Sequence, residues 1–196
     1  MDWNIKNELS TLEIADVNWL SMQGDTENGD PDIEVIRDWW RGGAETYCYE
    51  FRLRRGNAVW HLIAKAMVAF NPAILPENQL TSWLSRRERL ARAGVEVPRL
   101  FAFGKGLVIE QFIPFTLDEI AHVMPDLESH FMDAIGSLIS DGFAPRDFIR
   151  NMRTDGTRVY WIDFGEDLGG LTNPTLAAKR ALTGRAVAEF AAIHHS

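Results

Sequence analysis

Three polar side chains near residue 150 have the types and spacing needed to hold a metal ion and orient a reacting hydroxyl group. Residues 145–165 read Pro-Arg-Asp-Phe-Ile-Arg-Asn-Met-Arg-Thr-Asp-Gly-Thr-Arg-Val-Tyr-Trp-Ile-Asp-Phe-Gly. Phosphoryl transfer requires oxygen ligands that hold Mg²⁺ on the phosphates and one carboxylate that orients the attacking hydroxyl. We therefore interpret Asp147 as the catalytic base and Asn151 and Asp163 as the magnesium ligands.

A short hairpin has to bring Asn151 and Asp163 together. Asp155-Gly156 is typical turn chemistry, and the run from Val159 to Ile162 is rich in residues that favour strands. The strand would fix the backbone of Asp163 and leave its carboxylate at a turn that Gly165 can make. An Asp that only caps the next turn is the alternative interpretation.

Lys65 is the candidate cation of the site. It lies in Ile63-Ala64-Lys65-Ala66-Met67, a mostly apolar stretch predicted to be a strand. An ammonium buried there costs several kcal/mol unless it meets an anion. That anion is either a carboxylate or a phosphate, and a lysine that reaches solvent along a strand edge is the alternative.

The pattern of the chain predicts one compact α+β domain. Glycine and proline signals and apolar periodicity separate the predicted elements. These are a helix at 8–22, an acidic loop at 23–32, a hairpin over 47–70, a helix over Pro76–Ala93 ended by Gly94, a hairpin over 100–112, helices at 117–123 and 127–141, two short strands around Asp155-Gly156, and a helix from about Thr175 to His194.

Composition excludes several classes of function. A net charge of −8 opposes broad nucleic-acid binding, and one cysteine, Cys48, excludes an internal disulfide framework. The first residues lack the features of a secretory signal, and no segment is long and apolar enough to span a membrane. We expect a cytoplasmic protein, although delivery into a host cell by a specialised secretion system is compatible with this sequence.

The order of elements and motifs resembles the protein-kinase-like fold in a minimal form. It is similar to the small atypical kinases of the Bud32 and RIO type and, more loosely, to aminoglycoside phosphotransferases. The resemblance covers about residues 38–165 and rests on four segments besides the Asp-Phe-Gly turn. These are Gly42-Gly43-Ala44-Glu45-Thr46, Leu62-Ile63-Ala64-Lys65, Ala93-Gly94-Val95-Glu96-Val97-Pro98-Arg99-Leu100 and Ile109-Glu110-Gln111-Phe112.

The resemblance implies a bilobal α+β fold that uses ATP and Mg²⁺. Residues 1–37 would be an N-terminal extension. Residues 38–112 would form an N-lobe and hinge, with an antiparallel sheet and one helix. Residues 113–196 would form a reduced, mostly helical C-lobe.

Site roles follow from the same resemblance. The turn at Gly42, Gly43 and Ala44 would cover the phosphates, and Lys65 would hold the α- and β-phosphates. Glu88 is the predicted carboxylate partner of Lys65, with Glu77 as the alternative. Backbone groups of the hinge, including Glu110 and Phe112, would meet adenine.

Two departures from the kinase pattern affect the catalytic loop. Pro145 stands where the pattern has a histidine, and three residues rather than four separate Asp147 from Asn151. The proline removes a residue that braces the loop, and the deletion alters the placement of the base. Arg146 or Arg150 could instead neutralise the moving phosphoryl group, because a guanidinium fits phosphate oxygens.

The short C-terminal part points to a large acceptor. Only 31 residues follow Gly165, and they contain no Ala-Pro-Glu motif. The resemblance to kinases, combined with a reduced C-lobe, implies a kinase that acts on Ser or Thr hydroxyls of a protein substrate. A bacterial effector kinase is one variant of this interpretation. Two alternatives stay open: a small-molecule phosphotransferase of the sugar or aminoglycoside type, and a pseudokinase that binds nucleotide without turnover.

Overall fold

A computed structural model describes residues 4–5, 32–41, 46–67, 76–104, 106–170 and 175–193. The predicted helix at 8–22, most of the predicted loop at 23–32 and the glycine turn at 42–44 lie outside these ranges. The strands are β1 (Asn4–Ile5), β2 (Ile33–Arg41), β3 (Thr46–Arg55), β4 (Ala58–Met67), β5 (Leu100–Gly104), β6 (Leu107–Gln111), β7 (Met152–Thr154) and β8 (Val159–Trp161). The helices are α1 (Pro76–Arg92), α2 (Leu117–Ile120), α3 (Leu127–Ser140) and α4 (Leu176–Ile193), with a 3₁₀ turn at Glu166–Leu168.

The fold divides into two compact units that are interleaved along the chain. Unit 1 comprises Met1–Ser82 and Arg99–Phe112, and unit 2 comprises Trp83–Pro98 and Ile113–Ser196. Residues 83–98 group with unit 2 although they precede residues 99–112 of unit 1 in sequence. The N-lobe at 38–112 and the C-lobe at 113–196 stay predictions.

Unit 1 is built on a six-stranded antiparallel sheet with the order β1-β5-β6-β4-β3-β2. The β3–β4 hairpin runs without interruption from the Thr46–Met67 pair to the Arg55–Ala58 pair. Gly56 closes it with a φ of 56°, a left-handed conformation that glycine adopts at little cost. The order places β4 between β3 and β6, so Lys65 lies in the interior of the sheet.

The two faces of this sheet differ in chemistry. One face carries an apolar cluster that includes Tyr49, Phe51, Leu53, Leu62 and Ile109. Side chains alternate along each strand, so the residues between these point to the opposite face. That face carries the buried polar residues of the sheet: Thr46, Glu50, Lys65 and Glu110.

Unit 2 packs its apolar side chains around a second core. Helices α3 and α4 meet there, and the Phe131 and Phe190 rings stack with centroids 4.8 Å apart. Trp83, Phe148, Trp161 and Phe164 are each no more than 1% exposed. Helix α1 contributes to this core through its second half, which belongs to unit 2.

The sequence predictions hold for most described elements. The α+β class, both larger hairpins, the helix ended by Gly94 and the long helices near 127–140 and 176–193 are confirmed. The helix predicted at 117–123 is shorter than expected, since α2 ends at Ile120 and continues as a turn. Pro125 limits how far any helix could continue, because the residue before a proline, here Met124, is disfavoured in helical conformation.

No helix among the described residues is long and apolar enough to cross a membrane.

Candidate active site

The loop that carries Asp147 is closed by two hydrogen bonds. The Arg150 backbone amide donates to Asp147 Oδ1 at 2.8 Å, and Asn151 Nδ2 donates to the Asp147 carbonyl at 2.9 Å. The shortened spacing between Asp147 and Asn151 therefore forms a compact turn. Because the acceptor is a carbonyl, the amide nitrogen must face it, and the carboxamide oxygen is the atom of Asn151 with the chemistry of a Mg²⁺ ligand.

The predicted hairpin after Asn151 is present. Strands β7 and β8 pair with Met152 opposite Trp161. One step further toward the open end, the Ile162 amide donates to the Asn151 carbonyl at 2.9 Å. Asn151 thus contacts Asp147 through its side chain and the residue before Asp163 through its backbone, so the three predicted site residues lie on one loop and hairpin of unit 2.

Asp163 is oriented by its own turn. Its Oδ1 accepts the Gly165 amide at 2.9 Å, and its carbonyl accepts the Trp161 indole N–H. The other carboxylate oxygen has the chemistry of a metal ligand. The backbone of this turn is fixed on both sides, as the sequence pattern of a strand followed by Phe-Gly predicts.

Helix α1 holds the residue after Asp163. Trp83 and Phe164 meet edge to face with ring centroids 4.7 Å apart. Arg86 Nε donates to the Phe164 carbonyl at 2.5 Å. Trp83 is buried and packs as a core residue of unit 2.

The Asp155 turn at the far end of the hairpin is a network of hydrogen bonds. Asp155 Oδ1 accepts from the Thr157 amide, the Thr157 hydroxyl and the Arg158 amide, and Asp155 Oδ2 accepts from Tyr160 at 2.8 Å. Burial raises the pKa of Asp155, but these hydrogen bonds together outweigh burial and leave the pKa below its ordinary value. Burial, followed by the hydrogen bond to Asp155, raises the pKa of Tyr160 to about 12.

These shifts predict the pH range over which the hairpin turn is stabilised. A lowered carboxyl pKa contributes stability above the unfolded-state value of 3.8, and that contribution is lost as pH falls through the folded-state value. A raised tyrosine pKa contributes stability below 10.0, and that contribution is lost as pH rises toward 12. We expect Tyr160→Phe to lower the free energy of unfolding by about 1 kcal/mol at pH 7.

Chemical denaturation measured between pH 7 and pH 11.5 tests this prediction. The difference in free energy of unfolding between the wild-type protein and Tyr160→Phe should become smaller as pH rises above 10.0. Tyr47→Phe is the matched control, since Tyr47 is an exposed side chain of unit 1. A constant difference between wild type and Tyr160→Phe over the whole range would contradict the assignment.

In unit 1, Lys65 forms a buried ion pair with Glu110. Lys65 Nζ contacts Glu110 Oε1, and the two side chains are 9% and 1% exposed. Glu110 Oε2 is buried and accepts no hydrogen bond from the part of the chain that the structure describes. Lys65 therefore has an anion, as its apolar surroundings require, and this anion is a carboxylate from a neighbouring strand.

This pairing changes the role assigned to Glu110. The resemblance predicts that Glu110 lies in the hinge, but Glu110 lies inside β6, opposite Ile63 of β4. The Gln111 amide donates to Arg99 O at 2.8 Å. The Phe112 amide donates to His61 O at 3.2 Å. Both amides already donate hydrogen bonds within unit 1. Adenine would therefore have to be bound by carbonyl oxygens of this segment or by backbone groups later in the chain.

A second pair of polar side chains in contact lies on the same sheet face. His61 Nε2 lies 2.7 Å from Glu50 Oε1, and the His61 ring is 4.4 Å from the Phe112 ring. Glu50 and Glu110 flank Ile63 on the neighbouring strands. Around Ile63, this face thus carries the Glu50 and Glu110 carboxylates, the Lys65 ammonium and the His61 imidazole.

Glu88, Glu77 and the glycine turn are the other predicted parts of the site. Glu88 is exposed on the unit 2 part of α1. Its proposed partnership with Lys65 stays a prediction, and Glu110 is the carboxylate that the structure shows there. The glycine turn at 42–44 and the side chain of Glu77 lie outside the described residues.

Sequence reasoning missed two residues of α4 that contact the Asp147 loop. Glu189 Oε2 accepts the Phe148 amide at 2.8 Å, and the Arg185 guanidinium donates to the Pro145 carbonyl. The contacts join positions about 40 residues apart, which no local pattern reveals. The available signal was an Arg and a Glu four positions apart on an alanine-rich helix.

The predicted metal ligands of unit 2 have the kind of donor atom that Mg²⁺ prefers. Among the described residues there is no group of three or more His, Cys, Asp or Glu side chains that could hold a metal. Magnesium is commonly held by one or two protein oxygens, with water and substrate phosphates completing the octahedron. Asn151 and Asp163 supply oxygens of this kind, whereas zinc would favour nitrogen or sulfur ligands.

No protein-family model matches the chain, and no curated protein matches it either.

Proposed function

We propose that this protein is an ATP- and Mg²⁺-dependent phosphotransferase of a minimal kinase-like type, acting on Ser or Thr hydroxyls of a protein. The proposal is carried by the hydrogen bond between Asn151 and Asp147, and by the backbone hydrogen bond that Ile162, the residue before Asp163, donates to Asn151 at the open end of one hairpin. A base and two oxygen ligands held in this way form the set that phosphoryl transfer requires.

Asp147, Asn151 and Asp163 each have a distinct role in this proposal. Asp147 Oδ1 is held by the Arg150 amide, and Oδ2 accepts or orients the proton of the acceptor hydroxyl. Asn151 and Asp163 would hold Mg²⁺, which when bound neutralises charge on the phosphates. The Arg150 side chain is 88% exposed, with Nε 3.6 Å from Asp147 Oδ2, and can turn toward an anionic substrate.

The polar face of unit 1 supports a role in binding phosphate. Strongly desolvated charges with specific partners cluster at functional sites more often than elsewhere. Lys65 supplies a cation, and the buried Glu110 Oε2 lacks a donor among the described residues. A buried carboxylate oxygen without a hydrogen-bond donor is energetically unfavourable, and a ligand or an ordered water commonly supplies the missing donor.

One observation favours a second candidate, a nucleotide-binding pseudokinase. The Asp147 carboxylate faces the Arg150 guanidinium. If this pair persists with nucleotide bound, Asp147 does not accept or orient the hydroxyl proton. Such a protein would bind ATP and transfer no phosphate.

Incubation with γ-labelled ATP and Mg²⁺, alone and with a cell lysate, tests the proposal. The wild-type protein should transfer label to protein, and Asp163→Ala should not. Asp133→Ala, which removes an exposed carboxylate from α3, is the matched control and should retain transfer. Label on a sugar, nucleoside or aminoglycoside without a protein acceptor would indicate the small-molecule enzyme, and ATP binding without any transfer would indicate the pseudokinase.

A further inference from the structure

We propose that Arg185 and Glu189 of α4 are positioning residues that hold the Asp147 loop in its working shape. The inference rests on the proposed function, because it concerns the same carboxylate. The two side chains contact the loop on either side of Asp147. Arg185 binds the carbonyl of Pro145, and Glu189 binds the amide of Phe148 at 2.8 Å.

The two side chains also hold each other and the loop's apolar residue. Arg185 Nε lies 3.4 Å from Glu189 Oε1. The Arg185 guanidinium lies over the Phe148 ring, 4.7 Å from its centroid, and Phe148 is completely buried. The loop is thus fixed by a backbone donor, a backbone acceptor and a buried aromatic ring, all held from one helix.

Helix α4 is itself anchored in the unit 2 core. Ala186 and Phe190 are its buried residues, and the Phe190 ring stacks on Phe131 of α3. Arg185 and Glu189 flank these anchors in sequence. The packing of α4 on α3 therefore helps to determine where the Asp147 backbone lies, in addition to the contacts within the loop itself.

Pro145 explains why such a support is needed. A proline has no backbone N–H and no polar side chain, so it cannot brace the loop by donating a hydrogen bond. Its carbonyl is the one polar group that it offers, and Arg185 uses that carbonyl. A catalytic carboxylate has to be held within about 0.5 Å of its productive position, which requires support from outside a short loop.

Four variants test the inference. Glu189→Ala and Arg185→Ala should lower kcat for phosphate transfer by about 100-fold, as expected for a misplaced catalytic group, with KM for ATP changed little. Glu189→Gln should retain most of kcat, since its amide oxygen can still accept the Phe148 N–H. Arg180→Ala, at an exposed position of the same helix, is the control and should behave as wild type.

Hydrogen exchange of the Phe148 amide, measured by NMR, provides a readout independent of activity. Glu189→Ala should accelerate this exchange, and Glu189→Gln and Arg180→Ala should not. Equal exchange in wild type and Glu189→Ala, or an unchanged kcat in an active Glu189→Ala enzyme, would overturn the inference. If the wild-type protein transfers no phosphate, the proposed function fails, and the exchange measurement still decides whether α4 braces the loop.

Discussion

Replacing Asp163 with alanine is expected to abolish magnesium-dependent nucleotide turnover while the fold stays close to wild type. A metal ion stabilises developing charge by several kcal/mol, so the loss of a ligand should lower kcat/KM by about 10³-fold or more. The structural cost is small by comparison. Asp163 Oδ1 accepts one backbone hydrogen bond, from Gly165, and such a bond contributes about 1 kcal/mol.

A magnesium titration makes this prediction sharper. Asp163→Asn keeps an oxygen ligand but loses its charge, so it should need more Mg²⁺ and recover part of the turnover at high concentration. Asp163→Ala should not recover at any concentration. Turnover by Asp163→Ala equal to that of the Asp133→Ala control would remove Asp163 from the site, and thermal unfolding of each variant verifies that the comparison concerns folded protein.

The Lys65–Glu110 pair predicts the largest effect on stability. Glu110→Ala removes the carboxylate from a lysine that is 9% exposed and should lower the free energy of unfolding by about 3–5 kcal/mol. Replacing both partners with apolar residues of similar volume is often neutral or stabilising for a buried pair. The double variant Lys65→Met/Glu110→Leu should therefore be more stable than Glu110→Ala and should lose nucleotide turnover.

An exposed ion pair in the same sheet is the control. Arg52 and Glu34 approach to 3.3 Å with side chains 44% and 57% exposed, and such pairs contribute about 0–1 kcal/mol. Denaturant unfolding should show a small loss for Glu34→Ala and a large one for Glu110→Ala. Equal losses in the two variants would show that Glu110 is not an essential partner of a buried charge.

Local sequence signals account for the elements that were predicted correctly. Gly56 and Gly94 have φ values of 56° and 86°, and each lies where the sequence predicts the end of an element. Asp155-Gly156 likewise marks the hairpin that connects Asn151 to Asp163. Turn and cap chemistry is determined within a few residues, so it can be read without knowledge of the tertiary structure.

The partners of the candidate site could not be predicted in this way. Lys65 meets Glu110 because the sheet order places β6 beside β4, although β5 lies between them in sequence. The kinase pattern predicts a partner on the following helix, whereas a carboxylate on a neighbouring strand has no signature at a fixed spacing in the sequence. Glu189 contacts the loop for a similar reason, because the packing of α4 on α3 determines which amide it reaches.

The interleaving of the two units has a consequence for the biogenesis of the protein. Residues 83–98 of unit 2 are synthesised before residues 99–112 complete the sheet of unit 1. During translation, Trp83 and Leu90 in this segment lack most of the residues that will bury them until the rest of unit 2 has been synthesised. If the protein were cut after Phe112, residues 83–98 of unit 2 would be on the N-terminal fragment and the rest of unit 2 on the C-terminal fragment. Two co-expressed fragments should therefore reassemble only if they associate as they fold.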